Sequence, residues 1–466
     1  MSEDHLLILG AGPGGYTAAF YAADQGYKVT LVDAADKPGG VCLHRGCIPS
    51  KALLHVADFL EEARQAGEWG LSFNDPQINL ERLREWKDGI VAKMSGGLVT
   101  LCKQRGVNYI NQRGSFVNSN TVKFEGGESV NFDKCILATG SQPVVPDSFL
   151  HAGSLVMDST TALDIADIPE RLLIIGGGYI GLEMGSVYSA LGSRITVVEM
   201  TEGLLPGVDR DLVRPLQAKL KNEFQSFRFN TKVISVSQKG QSLVVIMESG
   251  DEKFEETFDR VLVSVGRRPN TSGIGLENTS LEMDEKGFVK VDPKRQTSDS
   301  SILAIGDVTG EPMLAHKASH EARVAIEGLS GKDISFTDRV IPAVVFTDPE
   351  IAWCGLTESE AKNMNCDVTI AKFPWVASGR AHTLGRAEGM SKLILGKETG
   401  RVLGVGIVGH GAGELIAEGV LAINMGSKAE DLANCIHPHP TLSETLMESA
   451  EVFLGTATHI YKRPRK

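Results

Sequence analysis

Short apolar runs, each closed by glycine or an acid, punctuate the first two-thirds of the chain. "HLLILG", "KVTLVD", "KCILATG", "RLLIIG", "RITVVE" and "SILAIGDV" are the clearest. Runs of this length without polar alternation are what strands buried on both faces require, so a parallel sheet is predicted. The region from about Asn230 to Val265 instead alternates apolar and polar residues, the mark of hairpin strands with one wet face. From about Ile341 the pattern changes again. "AVVFTDPEIAWCGLTESEAK", "MSKLILGKETGRVLGVGIVG" and "ELIAEGVLAINMG" predict an antiparallel sheet with long helices.

One arrangement occurs twice. A strand leads into Gly10-x-Gly12-x-x-Gly15, with Gly14 inside the loop, then a helix, then a strand ending at Asp33. A second strand leads into Gly176-x-Gly178-x-x-Gly181, a helix, and a strand ending at Glu199. First glycine to acid is 33 − 10 = 23 residues in one copy and 199 − 176 = 23 in the other. The first glycine permits the tight turn, the second lets backbone approach a diphosphate, and the third lets helix pack on strand. The helix N-terminus then stabilises the diphosphate charge and the acid accepts from a ribose hydroxyl. Two matched copies predict an α/β fold with two Rossmann-like dinucleotide-binding domains followed by a C-terminal α+β domain.

Composition narrows the class. At 466 residues the chain is too long for one core, and roughly three or four domains are expected. Apolar residues make up 42%, charged residues 23%, and the net charge is −12, which speaks against nucleic acid and anionic membranes as partners. Leu6 to Ala23 carries no charge, but Pro13 and four glycines interrupt it, and Glu3 and Asp4 precede it, so neither a membrane span nor a secretory leader is predicted. A cytoplasmic location is the expectation. The short basic tail "YKRPRK" reads as a solvated end.

Seven cysteines show no disulfide-scaffold spacing. Cys102, Cys135, Cys354, Cys366 and Cys435 read as small buried hydrophobes. Cys42 and Cys47 differ in their setting, just after the first glycine loop in "GGVCLHRGCIPSKALLH". Positions i and i+5 of a regular helix lie about 8.6 Å apart at Cα. A disulfide needs less than about 7 Å. The helix opening must therefore be distorted for the pair to bond, and Gly46 and Pro49 permit that. A reducible couple is the favoured reading. Metal binding by Cys42, His44 and Cys47 lacks a fourth ligand nearby, and two inert buried thiols are the other alternative.

"GGVCLHRGCIPSK", together with "ATGSQP", "GGGYIGLEMG", "VGRRPN", "AIGDV", "MLAHKASHEA", "FTDPEIAWCGLTE" and "HPHPTLSE", resembles the pyridine nucleotide–disulfide oxidoreductases over nearly the whole chain and in the same order. The likeness is strongest to members that oxidise dihydrolipoyl groups. His44 and Arg45 depart from the asparagine and the small or apolar residue usual in the family. The resemblance implies FAD in the Gly10–Gly15 loop, with Asp33, Gly114, Gly140, Asp307 and Ala315 as further contacts. It implies NAD at Gly176, Gly178, Gly181 and Glu199, lined by Val233 and Gly266. Cys47 would be the thiolate nearer the flavin and Cys42 the sulfur exchanging with substrate. Lys51, near the flavin, would pair with Glu183, although each alone reads as a solvated helix charge.

The same resemblance selects His439, oriented by Glu444, over His437 as the base that deprotonates the substrate dithiol. Thr441-x-x-Glu444 before an apolar run is also a capping-box signature. In the family this histidine serves the disulfide of the other subunit, which implies a homodimer. Residues 1–145 would begin the FAD-binding domain, 146–270 would bind NAD, 271–340 would complete the FAD-binding part, and 341–466 would form the dimer contact. The implied reaction is oxidation of protein-bound dihydrolipoamide with reduction of NAD. Its substrate would be a lipoyl-bearing protein of a 2-oxo acid dehydrogenase or glycine-cleavage complex. Glu199, followed by Met200, Thr201 and Glu202 with no arginine, repels a 2′-phosphate, which disfavours an NADPH-dependent, glutathione-reductase-like enzyme. A chain whose main task is docking in a multienzyme assembly is the alternative from a different class. No metal is expected.

Overall fold

A computed structural model describes residues 4–74, 76–337 and 340–461. Of the basic tail, only Tyr461 falls among them. The first sheet holds β1 (His5–Leu9), β2 (Lys28–Asp33) and the strands Asn108–Asn111, Lys134–Leu137 and Ile302–Ala304. All are parallel, in the order Asn108–Asn111, β2, β1, Lys134–Leu137, Ile302–Ala304. Leu6, Leu7 and Ile8 are buried on both faces, which is why the run carries no polar alternation. Helix α1 (Pro13–Asp24) opens with proline, whose missing N–H costs nothing in a first turn, and buries Ala18, Ala19 and Ala22.

The second sheet repeats the first. Its order is Ser226–Arg228, Arg194–Val198, Arg171–Ile175, Arg260–Val263, Val156–Met157, again all parallel. The duplication reaches beyond the glycine loops. Each sheet receives a three-stranded antiparallel insertion at the same topological point: Gly114–Asn118, Thr121–Phe124 and Ser129–Asn131 in the first, Thr231–Lys239, Ser242–Ser249 and Glu252–Phe258 in the second. The second insertion is the predicted hairpin region as far as Phe258; the end of that region, Arg260–Val263, is instead a buried parallel strand of the sheet, a correction to the sequence expectation. Strands Ser141–Pro143 and Arg267–Pro269 pair antiparallel where the chain crosses between the two sheets.

The C-terminal sheet is antiparallel, in the order Ala343–Val345, Glu350–Gly355, Val402–Gly409, Met390–Gly396, Val368–Pro374. Helices Ala412–Asn424 and Glu444–Leu454 bury Ile416, Leu446 and Ala450 in its core. The expected α+β character is present.

A short helix α2 (Gly40–Arg45) is followed by α3 (Cys47–Gln65) and the long α4 (Leu80–Gln104). Leu53, Leu54, Ala57 and Leu60 form one face of α3. They join a core that also contains Leu182 and Val187 of the second sheet's helix and Val345, Ile351 and Val408 of the C-terminal sheet. Helix α3 therefore ties the redox segment to both other sheets. Two sequence expectations need correction. Cys366 is half-buried at the turn after helix Glu358–Asn363, and Cys435 is exposed after helix Ala429–Asn434. Both follow short helices at the surface, where no core is available to cover a thiol. Cys102, Cys135 and Cys354 are buried as expected.

Candidate active site

The helix break inferred between the cysteines is present. Helix α2 ends at Arg45, Gly46 leaves helical geometry at φ −152° and ψ −113°, and Cys47 begins α3. Pro49 sits in the first turn, where its lack of an N–H is harmless. Both sulfurs face a cleft of 810 Å³. In the dithiol, Cys42 donates to Cys47, which raises the Cys42 pKa, and burial adds to the rise. Cys47 is lowered to about 7: the hydrogen bond from Cys42 is the largest influence, burial opposes it, and the Lys51 ammonium and the N–H at the start of α3 assist. Cys47 is exposed at its own surface, yet the cleft walls still remove enough water to oppose its charge. His44 turns Nε2 toward the carbonyls of Lys37 and Pro38, at 3.1 and 3.3 Å, and so faces backbone oxygen.

Lys51 Nζ lies 2.8 Å from Glu183 Oε2 and 4.4 Å from the centre of the Phe346 ring. Glu183 is buried, and its other oxygen accepts the Phe346 N–H at 3.0 Å. Solvated helix charges would show neither feature. The three residues come from α3, the second sheet's helix and the C-terminal segment, so the pair stands where all three units meet.

Two cradles meet the requirements of a dinucleotide. A Cβ on Gly10 would fall 2.2 Å from the Ala138 carbonyl oxygen, and one on Gly15 would fall 1.8 Å from that of Gly10. Gly176 and Gly181 are confined in the same way, at 2.5 Å from Ser264 O and from Gly176 O. The middle glycines differ. A Cβ on Gly178 would meet nothing within 4 Å, and one on Gly12 only the Gly40 Cα at 3.8 Å. Protein therefore forbids side chains at the outer glycines, while at the middle ones the space is left for a ligand. Asp33 accepts the Ala11 N–H at 2.6 Å and Glu199 the Gly177 N–H at 2.7 Å, so each acid is aimed from its strand end at its own loop.

Gly10, Gly12, Gly14, Asp33, Cys42, Cys47, Lys51, Gly114, Gly140, Glu183, Asp307 and Ala315 line the one cleft. Asp307 accepts from Ser141 through Oδ2, at 2.5 Å, and its Oδ1 has no partner among the described residues. A free carboxylate oxygen in the cleft wall fits a polyhydroxylated cofactor, and the residues present fit FAD. The second cradle lies apart from this cleft. Glu199 also accepts the Thr201 N–H at 2.8 Å, and Arg210 spends its guanidinium on the carbonyls of Leu204, Leu205 and Val208. Val233 is buried in the core behind that sheet, and Gly266 follows strand Arg260–Val263 at φ +124°.

His439 and His437 are separated by their surroundings. His437 uses both ring nitrogens, Nε2 with Glu418 at 2.8 Å and Nδ1 with the Cys435 carbonyl at 2.9 Å. His439 is 75% exposed, holds Glu444 through Nδ1 at 2.9 Å, and leaves Nε2 without a partner among the described residues. It does not line its own chain's cleft. Burial works against the Glu444 carboxylate, but the Thr441 N–H and His439 outweigh it and hold its pKa below the usual range. Half of the expected capping box forms. Glu444 accepts from Thr441 N–H at 2.7 Å, but the Thr441 hydroxyl turns to Pro438 and Ser443, because the helix starts at Glu444 itself.

Comparison with known proteins gives the family. Residues 4–322 match the pyridine nucleotide–disulphide oxidoreductase family, and residues 341–450 match its dimerisation domain. The chain belongs to this family. A dihydrolipoyl dehydrogenase of Vibrio cholerae is 46% identical over 98% of this chain and 96% of its own length. One from Thermus scotoductus is 44% identical over 99% of this chain and 100% of its own. LpdA from Mycobacterium tuberculosis superposes with a TM-score of 0.90 at 27% identity, covering 96% of this chain and 99% of that one. The HOCl-induced flavoprotein disulfide reductase RclA of Escherichia coli gives 0.86 at 27%, over 95% and 98%.

Several residues of this oxidoreductase site escaped sequence reasoning. Ser141, Tyr179 and Arg267 line the cleft. Beneath the Gly306–Asp307 turn, Glu321 is fully buried, pairs with Arg295 at 2.9 Å and Lys317 at 3.2 Å, and accepts the Gly306 N–H at 2.6 Å. The i, i+4 spacing of Lys317 and Glu321 was the available signal, but it reads equally well as a surface pair.

Proposed function

We propose that this protein oxidises dihydrolipoyl groups carried on another protein and passes the electron pair to NAD, using FAD held in the first cradle. The observation that carries the reading is the polarised dithiol: Cys47 acidified, Cys42 kept protonated, both beside the Lys51–Glu183 pair in the cleft. Residues 1–145 and 271–340 would hold FAD, residues 146–270 NAD, and residues 341–466 the dimer contact. In this division Gly176, Gly178, Gly181, Glu199, Val233 and Gly266 serve NAD.

His439 of a second copy takes the proton from one substrate thiol through its free Nε2, with Glu444 fixing the tautomer. The resulting thiolate attacks Cys42 of the oxidised pair, and the bond to Cys47 breaks. Cys47 leaves as the thiolate that Lys51 and the start of α3 stabilise. The second substrate thiol then closes the lipoyl disulfide, and its proton passes to Cys42. One disulfide has been consumed and one formed. FAD held in the first cradle would supply the two-electron chemistry linking the Cys47 thiolate to NAD, with the Cys42–Cys47 bond re-formed and the Cys42 proton released. Glu199 supports NAD over NADP, because its carboxylate repels a 2′-phosphate and Arg210 spends its guanidinium on loop carbonyls.

No helix among the described residues is long and apolar enough to cross a membrane. A cytoplasmic location and a lipoyl-bearing partner from a 2-oxo acid dehydrogenase or glycine-cleavage complex belong to the same proposal. Steady-state turnover of dihydrolipoamide with NAD or NADP tests it. Turnover with NAD is expected, strongly reduced with NADP, and abolished in a Cys42→Ser variant that keeps the wild-type melting temperature. Unchanged turnover in that variant would remove the mechanism.

A further inference from the structure

We propose that Ser141 and Arg267 are positioning residues that orient the Asp307 carboxylate toward the polyol chain of the flavin. The proposal rests on the reading of the first cradle as a flavin site. Ser141 lies on one strand of the two-stranded ribbon and Arg267 on the other, 126 residues apart in sequence. Arg267 Nε donates to Ser141 Oγ at 2.7 Å, and Nη2 donates to the Ser141 carbonyl at 2.8 Å. Ser141 Oγ in turn donates to Asp307 Oδ2 at 2.5 Å.

The direction of this relay is forced. A guanidinium has no acceptor, so Arg267 must donate. A hydroxyl has one proton, and with its oxygen receiving from Arg267, that proton goes to Asp307. Ser141 is 2% exposed, so water does not compete for it. Asp307 is thereby held by one oxygen, while Oδ1 is kept for a donor in the cleft. Without the hydroxyl, the carboxylate is free to turn about its own axis, and the arginine loses its route to it. No direct Arg267–Asp307 ion pair replaces the relay among the described residues. The ribbon's backbone pairing does not depend on either side chain, so both can be altered with the crossover intact.

The test is FAD binding to apoprotein, read by quenching of flavin fluorescence, with ADP measured by competition for the same site. Ser141→Ala and Arg267→Met are each expected to weaken FAD about tenfold, the value of a charge-assisted hydrogen bond, with ADP affinity unchanged because ADP has no polyol chain. In an Asp307→Asn background, Ser141→Ala is expected to add less than about twofold, since the two share one interaction. Equal losses for FAD and ADP, full additivity with Asp307→Asn, or wild-type FAD affinity in Ser141→Ala would each overturn the proposal. Failure of the wild-type apoprotein to bind FAD would overturn the flavin reading itself, and the relay with it.

Discussion

Lys51→Met tests whether the charge beside the dithiol sets the acidity of Cys47. The hydrogen bond from Cys42 is the largest influence lowering that thiol to about 7; burial opposes it, Lys51 assists, and Glu183 opposes more weakly. The Lys51 side chain is 33% exposed, so water screens part of its effect. Its loss is expected to raise the Cys47 pKa by about one unit, or ~1.4 kcal/mol of thiolate stabilisation. At pH 7 the thiolate fraction then falls from about a half to about a tenth. Glu183→Gln moves the midpoint the other way, because it removes a neighbouring anion. The assay is alkylation by iodoacetamide across pH in a Cys42→Ser background, where the serine hydroxyl keeps the donor, quantified by mass spectrometry on the peptide that carries Cys47. A midpoint that stays put in Lys51→Met refutes the electrostatic account. The sign for stability follows. A thiol depressed in the fold stabilises the reduced protein above the unfolded thiol range, and that contribution is lost as pH falls through about 7.

Other substitutions probe separate parts of the molecule. Glu321→Gln leaves buried Lys317 and Arg295 without their shared anion and is expected to cost about 3–5 kcal/mol in urea unfolding of the apoprotein. Glu199→Ala removes the carboxylate proposed to discriminate against a 2′-phosphate and should narrow the NAD-to-NADP ratio of kcat/KM by about tenfold or more. His439→Gln should lower turnover of dihydrolipoamide by about 10²–10⁴-fold while leaving FAD affinity unchanged, as expected for a base that enters another subunit's cleft.

Much of the architecture was legible because local signals carried it. Short apolar runs marked four strands of the first parallel sheet and the two strands that flank the second glycine loop, and matched glycine spacing marked both cradles. The break at Gly46 followed from helix geometry once the two cysteines were read as a redox couple, since six consecutive helical residues cannot bring two sulfurs to bonding distance. The parallel between the two antiparallel insertions was not legible, because their strands share topology but no motif. The Ser141–Arg267 contact spans 126 residues and has no periodic trace in the sequence. Burial of Glu321 depends on what covers the helix, which composition does not report. Thr441 and Glu444 match a capping pattern, yet the helix begins later than the pattern assumes, and the acid serves His439 as well. Sequence placed the exposed Cys435 in the core because cysteine is usually buried; the short helix before it offers no core to enter.

Anaerobic titration of the FAD-loaded protein with dihydrolipoamide bears most directly on electron entry at Cys42 and Cys47. A long-wavelength absorption band should appear at one equivalent as the Cys47 thiolate comes to lie against the flavin, and it should fade as pH falls through about 7. Direct bleaching of the flavin without such a band, or an unaltered titration in Cys42→Ser, would mean that electrons enter by a route that bypasses this pair.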